Sequence, residues 1–98
     1  MIRHILLLRF KTDTTAYALA ELQAAFAAMT TKVDGLSAVE WGENNSPEGK
    51  NKGYTHCIMM AFRDQLSRDE YIPHRAHDAL KLILRPLVDD IIVLDYSY

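Results

Sequence analysis

The chain has 98 residues, 49% hydrophobic and 24% charged, with a formal net charge of −2. These proportions exclude a disordered or membrane-spanning chain, and the scattered Lys and Arg residues exclude a basic nucleic-acid surface. A single domain of this length buries roughly 60–65% of its unfolded surface, so the core is thin and any further apolar surface needs a partner. No stretch reaches the ~20 apolar residues of a membrane span. The opening Ile5-Leu6-Leu7-Leu8 run is flanked by Arg3, His4 and Arg9 and lacks a cleavage site, so it does not read as a signal peptide. The lone Cys57 sits in an apolar run with no second thiol to pair with, which predicts a small buried hydrophobe and a reducing, cytoplasmic setting.

Ile2 to Lys11 is short, apolar and flanked by charge, the pattern of a strand. Thr12-Asp13-Thr14-Thr15 offers several N-caps, and Leu19, Leu22, Phe26 and Met29 then recur at helical spacing until Asp34-Gly35. Leu36 to Trp41 predicts a second strand, and the stretch 42–53, with Asn44-Asn45-Ser46-Pro47 and Gly42, Gly49 and Gly53, a loop. Tyr54 to Phe62 predicts a third strand and Leu66 to Tyr71 a short helical piece. Pro73 interrupts that piece, and His74 to Leu84 predicts a second main helix ending near Pro86. Ile91 to Tyr96 closes the chain as a strand. The order is βαββαβ over one domain, 1–98, for which a ferredoxin-like α+β protomer with a four-stranded antiparallel sheet is the common solution.

Side chains alternate along a strand, so each strand sorts its residues onto two faces. His4, Leu6, Leu8 and Phe10 share a face with Tyr54, His56, Ile58, Met60 and Phe62. Arg3, Ile5, Leu7 and Arg9 share the other with Thr55, Cys57, Met59, Ala61 and Arg63. Two helices cover only one face of such a sheet. The bulkier, histidine-bearing face is expected beneath them, and the smaller face against a second subunit in a two-fold homodimer.

Tyr71-Ile-Pro-His74-Arg-Ala-His77 places a phenol and two imidazoles within seven residues, the one local concentration of acid/base groups. On a helix from His74, Ala76, Ala79, Leu80, Ile83 and Leu87 lie on one side, with Asp78, Lys81 and Arg85 opposite. His77 falls at the apolar margin, where partial burial favours a neutral base, while His74 falls among the charges. Tyr71 could donate to a carbonyl oxygen that becomes an enolate. No Cys/His ligand spacing, phosphate-cradling loop or nucleophile elbow is present, so metal hydrolysis, nucleotide chemistry and serine-type acyl transfer are disfavoured.

His4-Ile-Leu-Leu-Leu-Arg-Phe10, Ser46-Pro-Glu-Gly49, Gly53-Tyr-Thr-His56, Tyr71 to His77 and Ile92-Val-Leu-Asp-Tyr96 together resemble the stress-responsive dimeric α/β-barrel family over nearly the whole chain. The resemblance implies a dimer with a central barrel. Most of that family has no assigned activity, but it includes a cofactor-free plant polyketide cyclase. The catalytic tyrosine and histidine of that scaffold correspond to Tyr71 and His77, and its pocket histidines to His4, His56 and His74. Arg75 departs from the proline frequent at its position. The expectation is a homodimer with a small apolar pocket per subunit binding a hydrophobic carbonyl compound, without cofactor or metal. In that pocket His77 is the base and Tyr71 the hydrogen-bond donor. A non-catalytic stress or interaction protein is the alternative; a haem monooxygenase is disfavoured because nothing singles out a haem ligand.

Overall fold

A computed structural model describes residues 1–98. The elements are β1 (Ile2–Phe10), α1 (Ala16–Ala27), a 3-10 turn (Ala28–Thr31), β2 (Leu36–Glu43), β3 (His56–Phe62), α2 (Gln65–Tyr71), α3 (Arg75–Leu84) and β4 (Val88–Ser97). The strands form one antiparallel sheet in the order β2-β3-β1-β4, the ferredoxin-like arrangement that βαββαβ implies.

Local chemistry fixes the helix ends. Of the candidate caps before α1 it is Thr15 that serves, its Oγ1 accepting the Ala18 amide at 3.1 Å. Asp64 caps α2 by accepting the Ser67 amide at 2.8 Å. Gly35 precedes β2 at φ +80, where a Cβ would stand 2.2 Å from the Ser67 hydroxyl, so the turn passes α2 only as glycine. Pro73 follows the end of α2, and the chain turns helical again only at Arg75. His74 is therefore not the first helical residue, as its sequence position suggests, but the extended N-cap of α3.

The assignment of faces holds. Ile2, His4, Leu6 and Leu8 of β1 and Ile58, Met60 and Phe62 of β3 are buried beneath Leu22, Phe26, Met29, Leu80 and Leu84. Each such side chain contributes about 1.5–3 kcal/mol on burial, so a one-residue slip of β1 would forfeit several of these at once. On the opposite face Ile5, Leu7, Cys57 and Met59 are half-buried, and Ile92, Leu94 and Tyr96 of β4 are 42%, 61% and 47% exposed.

Several details differ from expectation. Cys57 is half-buried and Ala79 exposed. Tyr54 lies ahead of β3, because its amide closes a turn onto the Asn51 carbonyl at 2.9 Å. β4 begins at Val88, which pairs with Phe10 past a bulge at Arg9/Phe10, and β2 runs on to Glu43. No helix is long and apolar enough to cross a membrane.

Candidate active site

Antiparallel pairing of β1 with β4 sets His4 opposite Asp95 on the helix-covered face. The imidazole Nδ1 lies 2.7 Å from Asp95 Oδ1, and Arg68 Nη1 of α2 donates to Asp95 Oδ2 at 2.7 Å. A carboxylate only accepts, so His4 carries its proton on Nδ1. Arg68 also donates from Nε to Asp69 at 2.7 Å, and these two carboxylates raise its pKa. The network ties the last turn of α2 to the closing strand.

Tyr71 ends α2 and points into the core, only 2% exposed. Its ring is stacked on His77 with centroids 4.3 Å apart, meets the edge of His4 at 6.0 Å and leans on Phe62 at 5.2 Å. Burial pushes the phenol well above its ordinary pKa, which keeps it a protonated donor. The hydroxyl makes no hydrogen bond within the chain, yet no buried side-chain oxygen or nitrogen is left unpartnered. The hydroxyl is therefore the part of Tyr71 that solvent reaches.

His77 Nδ1 lies 2.8 Å from the Ile72 carbonyl, which can only accept, so this nitrogen bears the proton. Burial is the main cause that lowers the His77 pKa, with Lys81 and His4 adding to it against the opposing Ile72 bond. A neutral ring with its proton fixed on Nδ1 leaves Nε2 with a free lone pair, the state a general base requires.

The five residues singled out from the sequence do not form one group. His4, Tyr71 and His77 meet under the helices. His56 lies four positions from His4 along the β1–β3 ladder, where His4 pairs with Met60 and Leu8 with His56, a separation of roughly 13 Å. It packs between Phe10 and Trp41, each at 5.2 Å, with Nδ1 2.8 Å from the Thr55 hydroxyl, and burial lowers its pKa. His74 uses Nδ1 to accept the Ala76 amide at 2.9 Å as the cap of α3. Asp95 and Arg68 were not singled out. An acid inside an otherwise apolar strand, facing His4 in the register that the fold demands, was a usable signal for Asp95. Arg68 carried none.

Four of the surface hollows enclose about 220 to 490 Å³. None of those four is lined by Tyr71 or His77.

This combination, a ferredoxin-like protomer with one apolar sheet face bare and a histidine–tyrosine cluster under the other, defines the dimeric α/β-barrel class. The chain belongs to the family described as Stress responsive A/B Barrel Domain, which it matches over residues 2–98. It is 30% identical over 96 residues to stress-response A/B barrel domain-containing protein HS1 of Arabidopsis thaliana, covering 98% of this chain and 88% of that one. It is 24% identical over 96 residues to olivetolic acid cyclase of Cannabis sativa, covering 98% and 95%. Among solved structures, an Arabidopsis thaliana protein superposes at TM-score 0.95 with 30% identity, covering 100% of this chain and 95% of that one. Hydroxynitrile lyase from Passiflora edulis follows at 0.89 with 20% identity and 97% and 90% coverage. A dimeric ferredoxin-like protein of unknown function from Jannaschia sp. gives 0.86 with 22% identity and 99% and 98% coverage.

Proposed function

We propose that this chain is a cofactor-independent proton-transfer enzyme of the cyclase type, acting on a small hydrophobic carbonyl compound as a cytoplasmic homodimer. The observation that carries the reading is the Tyr71–His77 stack, in which His77 Nδ1 is tied to the Ile72 carbonyl and the Tyr71 hydroxyl is left unpartnered. His77 Nε2 takes a proton alpha to the carbonyl while Tyr71 donates to the oxygen as it gains enolate charge. The carbanion adds to a second carbonyl of the same molecule, whose π bond breaks to leave an alkoxide, and His77 returns its proton to that oxygen. His4, held by Asp95, borders the other side of the phenol. His56 and His74 take no part in this step. The name of one relative, a cyclase, supports ring-closing chemistry on this fold.

The test is exchange of the alpha protons of an alkyl β-diketo acid in deuterated buffer, followed by NMR. The protein should speed exchange, and His77→Ala should remove about 10²–10⁴-fold of that acceleration, as loss of a general base does. Exchange no faster than in buffer, or untouched in His77→Ala, would refute the enzyme.

The packed state of both rings, with neither lining any of these four hollows, favours a second reading as a non-catalytic stress or interaction protein. The same assay separates the two. The homodimer belongs to both and is supported by the exposed Ile92, Leu94 and Tyr96 and by dimeric structural neighbours. Sedimentation of Leu94→Glu should show monomers where the unaltered chain shows dimers.

A further inference from the structure

A substrate of the Tyr71–His77 pair has to be held as well as deprotonated, and one positive charge stands beside the base. His77 and Lys81 are a single turn apart on α3, which sets their Cβ atoms about 5–6 Å from each other on one margin of the helix. The Lys81 side chain is only 27% exposed, which for a lysine means a covered stem and an ammonium at the rim. After burial, Lys81 is the one lysine or arginine among the causes that lower the His77 pKa, so its charge is felt at the imidazole.

The other cations around the pair are already engaged or point elsewhere. Arg68, tied into the His4–Asp95 network, meets Asp69 and Asp95 at 2.7 Å each. Arg75 precedes His77 by two residues, roughly 200° around α3, on the exposed face that it shares with Asp78, Ala79 and Leu82. Lys81 has one ionic partner, Asp78 Oδ1 at 3.3 Å, and that side chain is 64% exposed. A pair so open to water is worth little, so a ligand carboxylate can replace Asp78 without stranding a buried charge.

The reaction gives this cation a use. Taking an alpha proton from a molecule that already bears a carboxylate makes a dianion, which a half-buried base resists unless a fixed positive charge stands close. In a β-keto acid the acidic methylene adjoins the carboxylate, a spacing that suits a base and a cation one helical turn apart. Held at the rim, the charged head keeps part of its hydration and needs no enclosed cavity. α3 covers the sheet face opposite the one given to the second subunit, so this rim stays open in the homodimer.

We infer that Lys81 is the carboxylate anchor of this site, and that the carbonyl compound taken there is a free β-keto acid in preference to its ester or a neutral ketone. The inference rests on Tyr71 and His77 forming a ligand site, and it adds the charge of the ligand and the residue that selects it.

The probes are 3-oxooctanoate and its methyl ester, titrated separately into the isotope-labelled full-length chain, with NMR shifts followed at the amides of 74–81. The acid should bind about tenfold more tightly than the ester, by a margin that shrinks as salt is raised. Lys81→Gln keeps the stem and the helix propensity; it should weaken the acid about tenfold and leave the ester unchanged, while Lys81→Arg keeps most of the preference. Equal affinities for the two probes, a preference that survives Lys81→Gln, an equal loss of both in that variant, or no saturable binding would each overturn the anchor. Alpha-proton exchange of the same two probes in deuterated buffer separates this inference from the enzyme reading. Acid-selective binding without faster exchange leaves the anchor standing and removes the enzyme, whereas faster exchange of acid and ester alike keeps the enzyme and overturns the anchor.

Discussion

His77 reaches the Ile72 carbonyl across 2.8 Å because His74 has taken the amide that would otherwise close that carbonyl into a helical turn. In an uninterrupted helix the Ala76 amide would bond Ile72. Here it bonds the His74 ring at 2.9 Å, and the freed carbonyl fixes the tautomer of His77. The second histidine of the motif thus acts through the first.

This coupling gives a prediction for a residue that touches no reacting atom. His74→Ala removes the cap of α3 and should lower stability by about 1 kcal/mol, while His74→Asn, a good capping residue, should restore most of it. Urea unfolding measures the first effect. The second is read from the His77 Nδ1 proton by NMR, which should exchange faster in His74→Ala and return to its unaltered rate in His74→Asn. An alanine variant as stable as the parent would show that the cap contributes nothing.

Tyr71 separates packing from chemistry. Its ring is enclosed by His77, Phe62 and His4, but its hydroxyl bonds nothing in the chain. Tyr71→Phe should therefore change stability by less than about 0.5 kcal/mol, whereas Tyr71→Ala should cost about 3–5 kcal/mol through the cavity it leaves. Chemical denaturation of the two variants side by side checks this. A phenylalanine variant as damaged as the alanine one would mean the hydroxyl holds the fold together.

How much of this was legible in the sequence follows from the range of the signal. Alternation along β1 and β3 sorted His4, Leu6 and Leu8 from Ile5 and Leu7 correctly, because a period of two is local and the burial difference is large. The place of His77 at the apolar margin of its helix was legible too, whereas His4 entered only through the family resemblance, on a par with His56 and His74. His74 was misplaced because Pro73 reads equally as the first helical residue or as the break before it, and only a ring-to-amide bond decides. The Arg68–Asp95 pair joins residues 27 apart and depends on how the last turn of α2 lies against β4. No periodicity encodes that.

Asp95 is where the closing strand and α2 depend on each other. His4 and Arg68 both address its carboxylate at 2.7 Å, and its side chain is only one-fifth exposed. Asp95→Ala should cost about 2–3 kcal/mol, since charge-assisted bonds are lost and two polar partners stay behind. Adding His4→Leu should then cost less than it does in the unaltered chain, the mark of coupled residues. Equal costs in a double-mutant cycle would deny the coupling.

The two depressed histidines set the pH response. Burial holds His56 and His77 below the ordinary value of 6.5, so each binds a proton more readily in the unfolded chain than in the fold. Stability therefore rises with pH through the window between the lowered folded values and 6.5: it is fully present above that window and is lost as pH falls through the folded pKa of each ring. Asp64 and Asp90 are also depressed, but from 3.8, so their contributions disappear only at more acid pH and leave this window to the histidines. Urea midpoints measured between about pH 5 and 7, where only histidines titrate, should fall on the acid side. The fall should flatten in His77→Gln and flatten further in His56→Gln/His77→Gln. Midpoints that are level or rise toward acid would show that neither ring is kept neutral by the fold, and His77 would then have no free lone pair to offer.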